Sequence, residues 1–133
     1  MLVFDIESDG LLDTITKVHC INIIDTATGD ELRFTDHEFY QDADGNTTGV
    51  PCLRTGTIAD ALARLSEAPQ LGGQHIVGYD IPALAVVYPS FRVRRDCVIY
   101  DTKIMSQLMY PTLRDLDFAA VRKGRLPQSF LTA

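Results

Sequence analysis

Two carboxylates stand close together near the start of the chain, in the apolar stretch MLVFDIESDG. A strand places alternate side chains on one face with a rise of about 3.3 Å per residue, so Asp5 and Glu7 are expected to share a face roughly 6.6 Å apart. Neighbouring carboxylates repel each other unless a positive charge lies between them. The pair therefore indicates either an exposed, solvated strand or a cation site, and its spacing leaves both interpretations open.

The first half of the chain predicts three strands and one helix. Strands are expected at residues 2–6, 18–24 and 31–35, the last two joined by the turn DTATGD, and a long polar loop at 36–56. The segment TIADALARLSEA predicts a helix that begins with a capping box of Thr57 and Asp60.

The second half alternates between strands and helices. The segments predict a strand at 71–80, a helix at 81–89, a strand at 97–102 and helices at 103–110 and 113–127. A hairpin-led sheet that then alternates with helices is typical of a mixed α/β architecture.

A third carboxylate, Asp80, ends the predicted strand 71–80 where the chain enters a helix. Ligands of open α/β sheets collect outside the carboxyl ends of the strands, so Asp80 could meet Asp5 and Glu7 there. Such oxygen ligands suit Mg²⁺ or Mn²⁺. An Asp before Ile-Pro is equally typical of a helix N-cap, and Asp101 before Thr102 is interpreted as such a structural cap.

Composition narrows the classes of protein. The chain has 133 residues, of which 46% are hydrophobic, and these values predict one soluble domain. It has neither an apolar stretch of about 20 residues nor a signal peptide, which predicts a cytoplasmic protein without a membrane partner. The net charge of −6 argues against a protein that binds duplex DNA through a broad basic surface. It does not exclude an enzyme that binds one strand end in a pocket where bound metal ions supply the positive charge.

Other motifs favour no separate chemistry. The three scattered cysteines predict reduced thiols, and adjacent His19 and Cys20 are expected to face opposite sides of a strand. The run DADGNTTGV begins like a calcium-binding EF-hand loop, but Thr47 and Leu53 stand where that loop needs Gly and Glu.

Several segments together resemble the proofreading 3′–5′ exonuclease domain of family A DNA polymerases, in particular those of T-seven-like podophages. They are FDIESDGLL, KVHCINI, QHIVGYDIPAL, CVIYDTKIMSQLMYP and RDLDFAAVRKGRLP, which extend over nearly the whole chain. The resemblance implies a ribonuclease H-like fold of the DnaQ-like, or DEDD, exonucleases. This fold has a mixed five-stranded sheet flanked by helices, and residues 1–133 would be a single exonuclease-like domain that lacks the last helices.

The resemblance also implies roles for single residues. The family's first motif, here Asp5 and Glu7, binds the catalytic Mg²⁺ or Mn²⁺ ions, and the second motif's Asp80 supports the second ion in a two-metal hydrolysis of single-stranded DNA 3′ ends. His75 stands where the family commonly has an Asn that contacts the substrate end. Ile6 and Tyr79, inside the two motifs, are further candidates for substrate contact.

The family's third motif, Tyr-x-x-x-Asp on a late helix, has no clear counterpart. Tyr40 with Asp44 fits the spacing but lies in the predicted loop, and His37 with Asp42 and His75 with Asp80 fit the variant His-x-x-x-x-Asp. The resemblance therefore implies a phage-encoded module, in the host cytoplasm, that is weak or inactive until a further polymerase chain supplies the missing carboxylate. The alternative is a catalytically silent module that acts by protein–protein binding, for example as a homodimer.

Overall fold

The computed structural model describes residues 1–109, and the helix predicted at 113–127 lies outside them. The chain divides into two compact units, Met1–Thr102 and a second that begins at Lys103. In chain order the elements are the strands and helices β1 (Leu2–Ser8), β2 (Val18–Asp25), β3 (Glu31–Phe34), β4 (Phe39–Gln41), β5 (Thr47–Pro51), α1 (Ile58–Glu67), β6 (Gln70–Gly73), a π-helical turn (Ile76–Asp80), α2 (Ile81–Val87), β7 (Val98–Asp101) and α3 (Thr102–Met109).

A mixed five-stranded sheet organises the first unit, and this confirms the predicted α/β class. Its strand order is β3-β2-β1-β6-β7, with antiparallel pairing on the β2 side of β1 and parallel pairing on the β6 side. Strand β1 therefore lies at the centre of the sheet, between β2 and β6.

The core lies on one face of this sheet, because alternate side chains of a strand point to opposite faces. In β1, Phe4 and Ile6 are buried whereas Asp5 and Glu7 are exposed. In β2 and α1 the buried residues that pack onto the same core are Val18, Ile21, Ile23, Ile58, Ala61 and Leu65.

Helix α1 begins as its sequence predicts. The Thr57 side chain accepts a hydrogen bond from the Asp60 backbone N–H, and the Asp60 carboxylate accepts one from the Thr57 backbone N–H at 2.9 Å. The Asp36 carboxylate accepts a third from the Ile58 N–H at 3.0 Å. These bonds satisfy N–H groups that the first turn of a helix leaves without partners.

The prediction of a loop over 36–56 is wrong, because these residues contain the antiparallel hairpin β4–β5. The carboxylate of Asp42 accepts hydrogen bonds from the N–H groups of Asp44 and Asn46, and Gly45 has a φ of 82° that favours glycine. The polar residues that indicated a loop therefore form the turn of a hairpin. The carboxylate that looked like a first calcium ligand is bound to backbone in that turn.

The prediction of one strand over 71–80 is also wrong. Strand β6 ends at Gly73, and Ile76–Asp80 form a π-helical turn that leads directly into α2. His75, between them, has a φ of 58°, a left-handed conformation that no strand interior adopts. A short apolar run is compatible with a buried strand and with a buried helical turn, so its hydrophobicity could not distinguish the two.

The sequence predicted neither disulfide bonds nor a membrane-spanning helix. Cys20, Cys52 and Cys97 are free thiols and partly exposed, as expected for the reduced state. Among residues 1–109, no helix has the length and apolar character that crossing a membrane requires.

We predict that Leu65→Ala lowers the free energy of unfolding by about 2–5 kcal/mol, since this side chain is fully buried between α1 and the sheet and its truncation leaves a cavity. The matched control is Leu53→Ala, because Leu53 is 78% exposed. Urea denaturation measures both variants, and an equal effect of the two would contradict this description of the core.

Candidate functional site

Asp5 and Glu7 share the face of the sheet that is opposite the core. Both are exposed, and their cross-strand partners in β2 are Asn22 and Cys20. Burial raises the pKa of the Cys20 thiol above its ordinary value, and the nearby Glu7 carboxylate raises it further. The two carboxylates therefore lie on an open face, where a cation or a substrate can approach them.

Asp80 comes from a distant part of the sequence to the backbone between Asp5 and Glu7. It is buried, and its Oδ2 accepts a hydrogen bond from the backbone N–H of Ile6 at 3.2 Å. Strand β1 pairs with β6 only at Leu2 and Val3, so the N–H of Ile6 has no strand partner on that edge. The Asp80 carboxylate takes the place of that partner, directly beside the backbone that connects Asp5 to Glu7.

The Asp80 carboxyl has a strongly perturbed pKa. Burial, which disfavours the charged form, raises the pKa from 3.8 to about 6, and the hydrogen bond from Ile6 offsets part of that rise. The negative charge of Asp5 contributes a further increase. Asp80 occupies the N-cap position of α2, as the alternative interpretation expected, but its side chain makes no capping hydrogen bond there.

Asp101 holds the π-helical turn from the neighbouring strand. Its buried carboxylate accepts hydrogen bonds from the N–H groups of His75 and Val77, each at 2.9 Å. A structural role was expected for Asp101, and these two bonds place it at the start of the helical turn that carries Asp80.

His75 occupies the left-handed corner between β6 and the π-helical turn. Its side chain is exposed, and its imidazole lies against Gly78, where an added Cβ would collide with the ring. Asn, Asp and His adopt the left-handed conformation far more often than other residues that have a Cβ. A histidine is therefore compatible with the backbone of this corner, and its contact with a substrate stays a prediction.

Tyr79 joins the two motifs. Its hydroxyl lies 2.5 Å from the Ser8 Oγ and donates to the carbonyl of Gly10 at 2.5 Å. These partners belong to the segment that directly follows Glu7. Tyr79 thus fixes the chain next to Glu7, whereas the side chain of Ile6 is buried in the core and only its backbone faces the site.

The candidates for a fourth ligand do not join these carboxylates in the described structure. Tyr40, Asp42 and Asp44 belong to the β4–β5 hairpin, and the Asp42 carboxylate is bound to the turn. In the part of the chain that the structure describes, residues 1–109, no three His, Cys, Asp or Glu side chains are gathered so that they could hold a metal ion.

A β-bulge in β2 was not predicted. Glu7 pairs with Cys20 and Ser8 pairs with Val18, so His19 is an extra residue opposite β1. His19 and Cys20, which were expected to face opposite sides of the strand, both line one groove on the open side of the sheet. No feature of a single sequence marks such an insertion, since it depends on the pairing of two strands.

The chain is homologous to DNA-directed DNA polymerases of bacteriophages. It is 31% identical over 137 residues to that of Escherichia phage T7 and 33% identical over 137 residues to that of Enterobacteria phage T3. Each alignment covers 96% of this chain but only 16% of the polymerase. No protein-family model matches the chain. The comparisons confirm the expected relationship to phage polymerases, and the chain corresponds to about one sixth of these relatives' length.

We predict that Asp80→Asn raises the stability of the metal-free chain at pH 7. A folded-state pKa of about 6 means that the folded protein binds more protons than the unfolded chain between about pH 4 and 6, so the wild type loses stability as the pH rises through that window. The difference from pKa 3.8 corresponds to about 3 kcal/mol at pH 7.

Urea denaturation in EDTA at pH 4 and pH 7 measures this effect as the change in the stability difference between variant and wild type. We expect the advantage of Asp80→Asn to grow by as much as about 3 kcal/mol between the two pH values. A difference that does not change with pH would contradict the burial of a charged Asp80.

We predict that His75→Val lowers the free energy of unfolding by about 1–2 kcal/mol, because a β-branched side chain is disfavoured in the left-handed conformation. His75→Asn and His75→Gly are expected to retain the stability of the wild type. The control is Gln74→Val, at an exposed neighbour whose φ is not positive. Equal losses in His75→Val and Gln74→Val, measured by urea denaturation, would argue against the left-handed corner.

Proposed function

We propose that this chain, as a homologue of part of the phage DNA polymerases, is a metal-dependent 3′–5′ exonuclease module that removes nucleotides from single-stranded DNA 3′ ends during proofreading. The observation that carries this proposal is the hydrogen bond from Ile6 to Asp80, across 74 residues of sequence. It brings a third carboxylate beside the strand that presents Asp5 and Glu7. We also propose that the mixed sheet is of the ribonuclease H-like type.

The donor set fits Mg²⁺ or Mn²⁺. Mg²⁺ is usually bound through one or two carboxylates together with substrate phosphates and keeps several waters, so it does not need an all-protein cage. Asp5 and Glu7 are open to solvent for such binding, and a nearby cation would stabilise the charged form of the buried Asp80. When bound, a pair of such ions activates water and neutralises the leaving oxygen in phosphodiester hydrolysis.

The chain's own residues position the groups of the candidate site. Asp5 and Glu7 project from the central strand, whose backbone pairs with β2 from Leu2 to Ser8. Tyr79 acts as a positioning residue, because its hydroxyl holds the Ser8–Gly10 segment beside Glu7. His75 stays the candidate for contact with the substrate end, since its imidazole is exposed at the corner that precedes Asp80.

One observation favours the alternative of a catalytically silent binding module, which could act as a homodimer. Within residues 1–109 no group of three potential ligands is assembled, and the only Tyr-x-x-x-Asp of the sequence, Tyr40 to Asp44, contributes to the hairpin. We therefore expect hydrolysis by this chain alone to be slow. We expect it to rise when a second polymerase chain supplies a Tyr-x-x-x-Asp helix.

The test is degradation of 5′-labelled single-stranded DNA in Mn²⁺, with EDTA as the metal-free reaction. We expect a slow ladder of shortened products from the wild type and a loss of more than about 100-fold in Asp5→Ala/Glu7→Ala, since mutation of even the outer partners of metal ligands costs 10–100-fold. The matched control is Asp30→Ala/Glu31→Ala, which removes two exposed carboxylates near the edge of the sheet.

Each result distinguishes the two functions. A ladder that is lost in the Asp5/Glu7 variant and retained in the Asp30/Glu31 variant excludes the silent module. A wild type that forms no ladder, even after addition of a chain that carries the Tyr-x-x-x-Asp helix, contradicts the exonuclease proposal.

A further inference from the structure

A groove of about 440 Å³ lies on the open side of the sheet, and we call it the aromatic groove. Its volume is within the range of small-molecule and cofactor sites, which is about 300–1,000 Å³. The side chains most relevant to binding are His19, Cys20, Asn22, Arg33, His37 and Tyr40.

Three parts of the chain build the aromatic groove, namely β2, β3 with its lining residue Arg33, and the hairpin segment. The bulge in β2 contributes His19, and the hairpin segment contributes His37 and Tyr40. Thr35 connects the two histidines, because its hydroxyl donates to the His19 carbonyl at 2.8 Å and accepts from the His37 N–H at 3.2 Å. The Tyr40 carbonyl accepts a hydrogen bond from Thr48 at 2.7 Å, which fixes it to the opposite strand of the hairpin.

The aromatic rings of this groove remain open to a ligand. The His19 and His37 rings are nearly parallel, with an angle of 26° and centroids 6.4 Å apart. This distance is at the long end of the range for aromatic pairs, about 4.5–7 Å. Phe39 and Tyr40 both line the groove and are 40% and 41% exposed, so a planar molecule can contact this segment without displacing the core.

The aromatic groove adjoins the carboxylates. Its floor includes Cys20 and Asn22, which are the direct cross-strand partners of Glu7 and Asp5. Paired strands lie about 4.8 Å apart, so the groove begins one strand away from the candidate metal ligands and on the same face. A strand of nucleic acid whose end lies at Asp5 and Glu7 can therefore extend across β2 into the groove.

The charge of the aromatic groove differs from that of the whole chain. The chain has a net charge of −6, but among residues 1–109 none of the residues that line the groove is acidic, and Arg33 of β3 is one of them. The guanidinium of Arg54 is close by, since it donates to the Thr35 carbonyl at 3.0 Å. Aromatic rings beside cations are typical of sites that bind single-stranded nucleic acid through stacked bases and backbone phosphates.

We propose that the aromatic groove binds a nucleobase of single-stranded DNA near its 3′ end, with the base stacked on Tyr40 and the amide of Asn22 available to its polar edge. The position of the 3′ end rests on the exonuclease function proposed above. The binding itself requires no metal and no hydrolysis, so it can be measured separately.

The test measures binding of 5′-fluorescein-labelled single-stranded DNA by anisotropy in EDTA, with 2-aminopurine placed at the first, second, third or eighth nucleotide from the 3′ end. We expect Tyr40→Ala to weaken binding by roughly 5- to 100-fold, the range that stacking of one base on an aromatic ring covers. Tyr40→Phe is expected to retain binding, because the ring remains. Stacking is expected to quench 2-aminopurine at one of the first three positions and not at the eighth.

The matched control is Tyr100→Ala. Tyr100 is 40% exposed, against 41% for Tyr40, and lies in β7 at the opposite edge of the sheet. No binding by the wild type, equal losses in Tyr40→Ala and Tyr100→Ala, or quenching that is independent of position would overturn the proposal. Binding in EDTA by a chain that never hydrolyses DNA contradicts the exonuclease function alone, whereas hydrolysis without any effect of Tyr40→Ala contradicts the aromatic groove alone.

Discussion

The backbone N–H of Ile6 is the constraint on which the candidate site depends. Strand β1 continues to Ser8 while its parallel neighbour β6 ends at Gly73, so the last part of β1 has no strand partner on that edge. A buried N–H without a hydrogen bond costs about 1–3 kcal/mol. Asp80 provides the missing acceptor, and the burial of its carboxylate raises its pKa.

The neighbouring strands determine where Asp80 can stand. Gly73 allows the chain to pass close to β1, because a Cβ there would lie 2.8 Å from the carbonyl oxygen of Phe4. His75 then adopts a left-handed conformation between β6 and the π-helical turn, and Asp101 in β7 holds this corner through two hydrogen bonds. The geometry around Asp80 is therefore a joint property of β1, β6 and β7, although only β1 carries the other two carboxylates.

An element of this structure could be predicted where the residues that stabilise it lie within its own segment, and not where they lie far along the chain. Alternation identified β1 to β3, and apolar spacing with a capping box identified α1, because these signals lie within the segments themselves. The π-helical turn was missed because its start is held by Asp101, 24 and 26 residues further along the chain. The hairpin β4–β5 was missed because its residues are almost all exposed and show no apolar alternation. The motifs identified Asp5, Glu7 and Asp80, but not the hydrogen bond from Ile6 that joins them.

The early end of β6 has a consequence for how this fold can change. A parallel neighbour that continued along β1 would satisfy the same N–H groups with backbone carbonyls and would make a more regular sheet. It would also occupy the space in which Asp80 now stands, so the strand that completes the sheet and the carboxylate compete for one position. The candidate site thus exists because β6 ends before β1 does. Mutations that extend β6 would make the sheet more regular but would displace the Asp80 carboxylate from the Ile6 N–H.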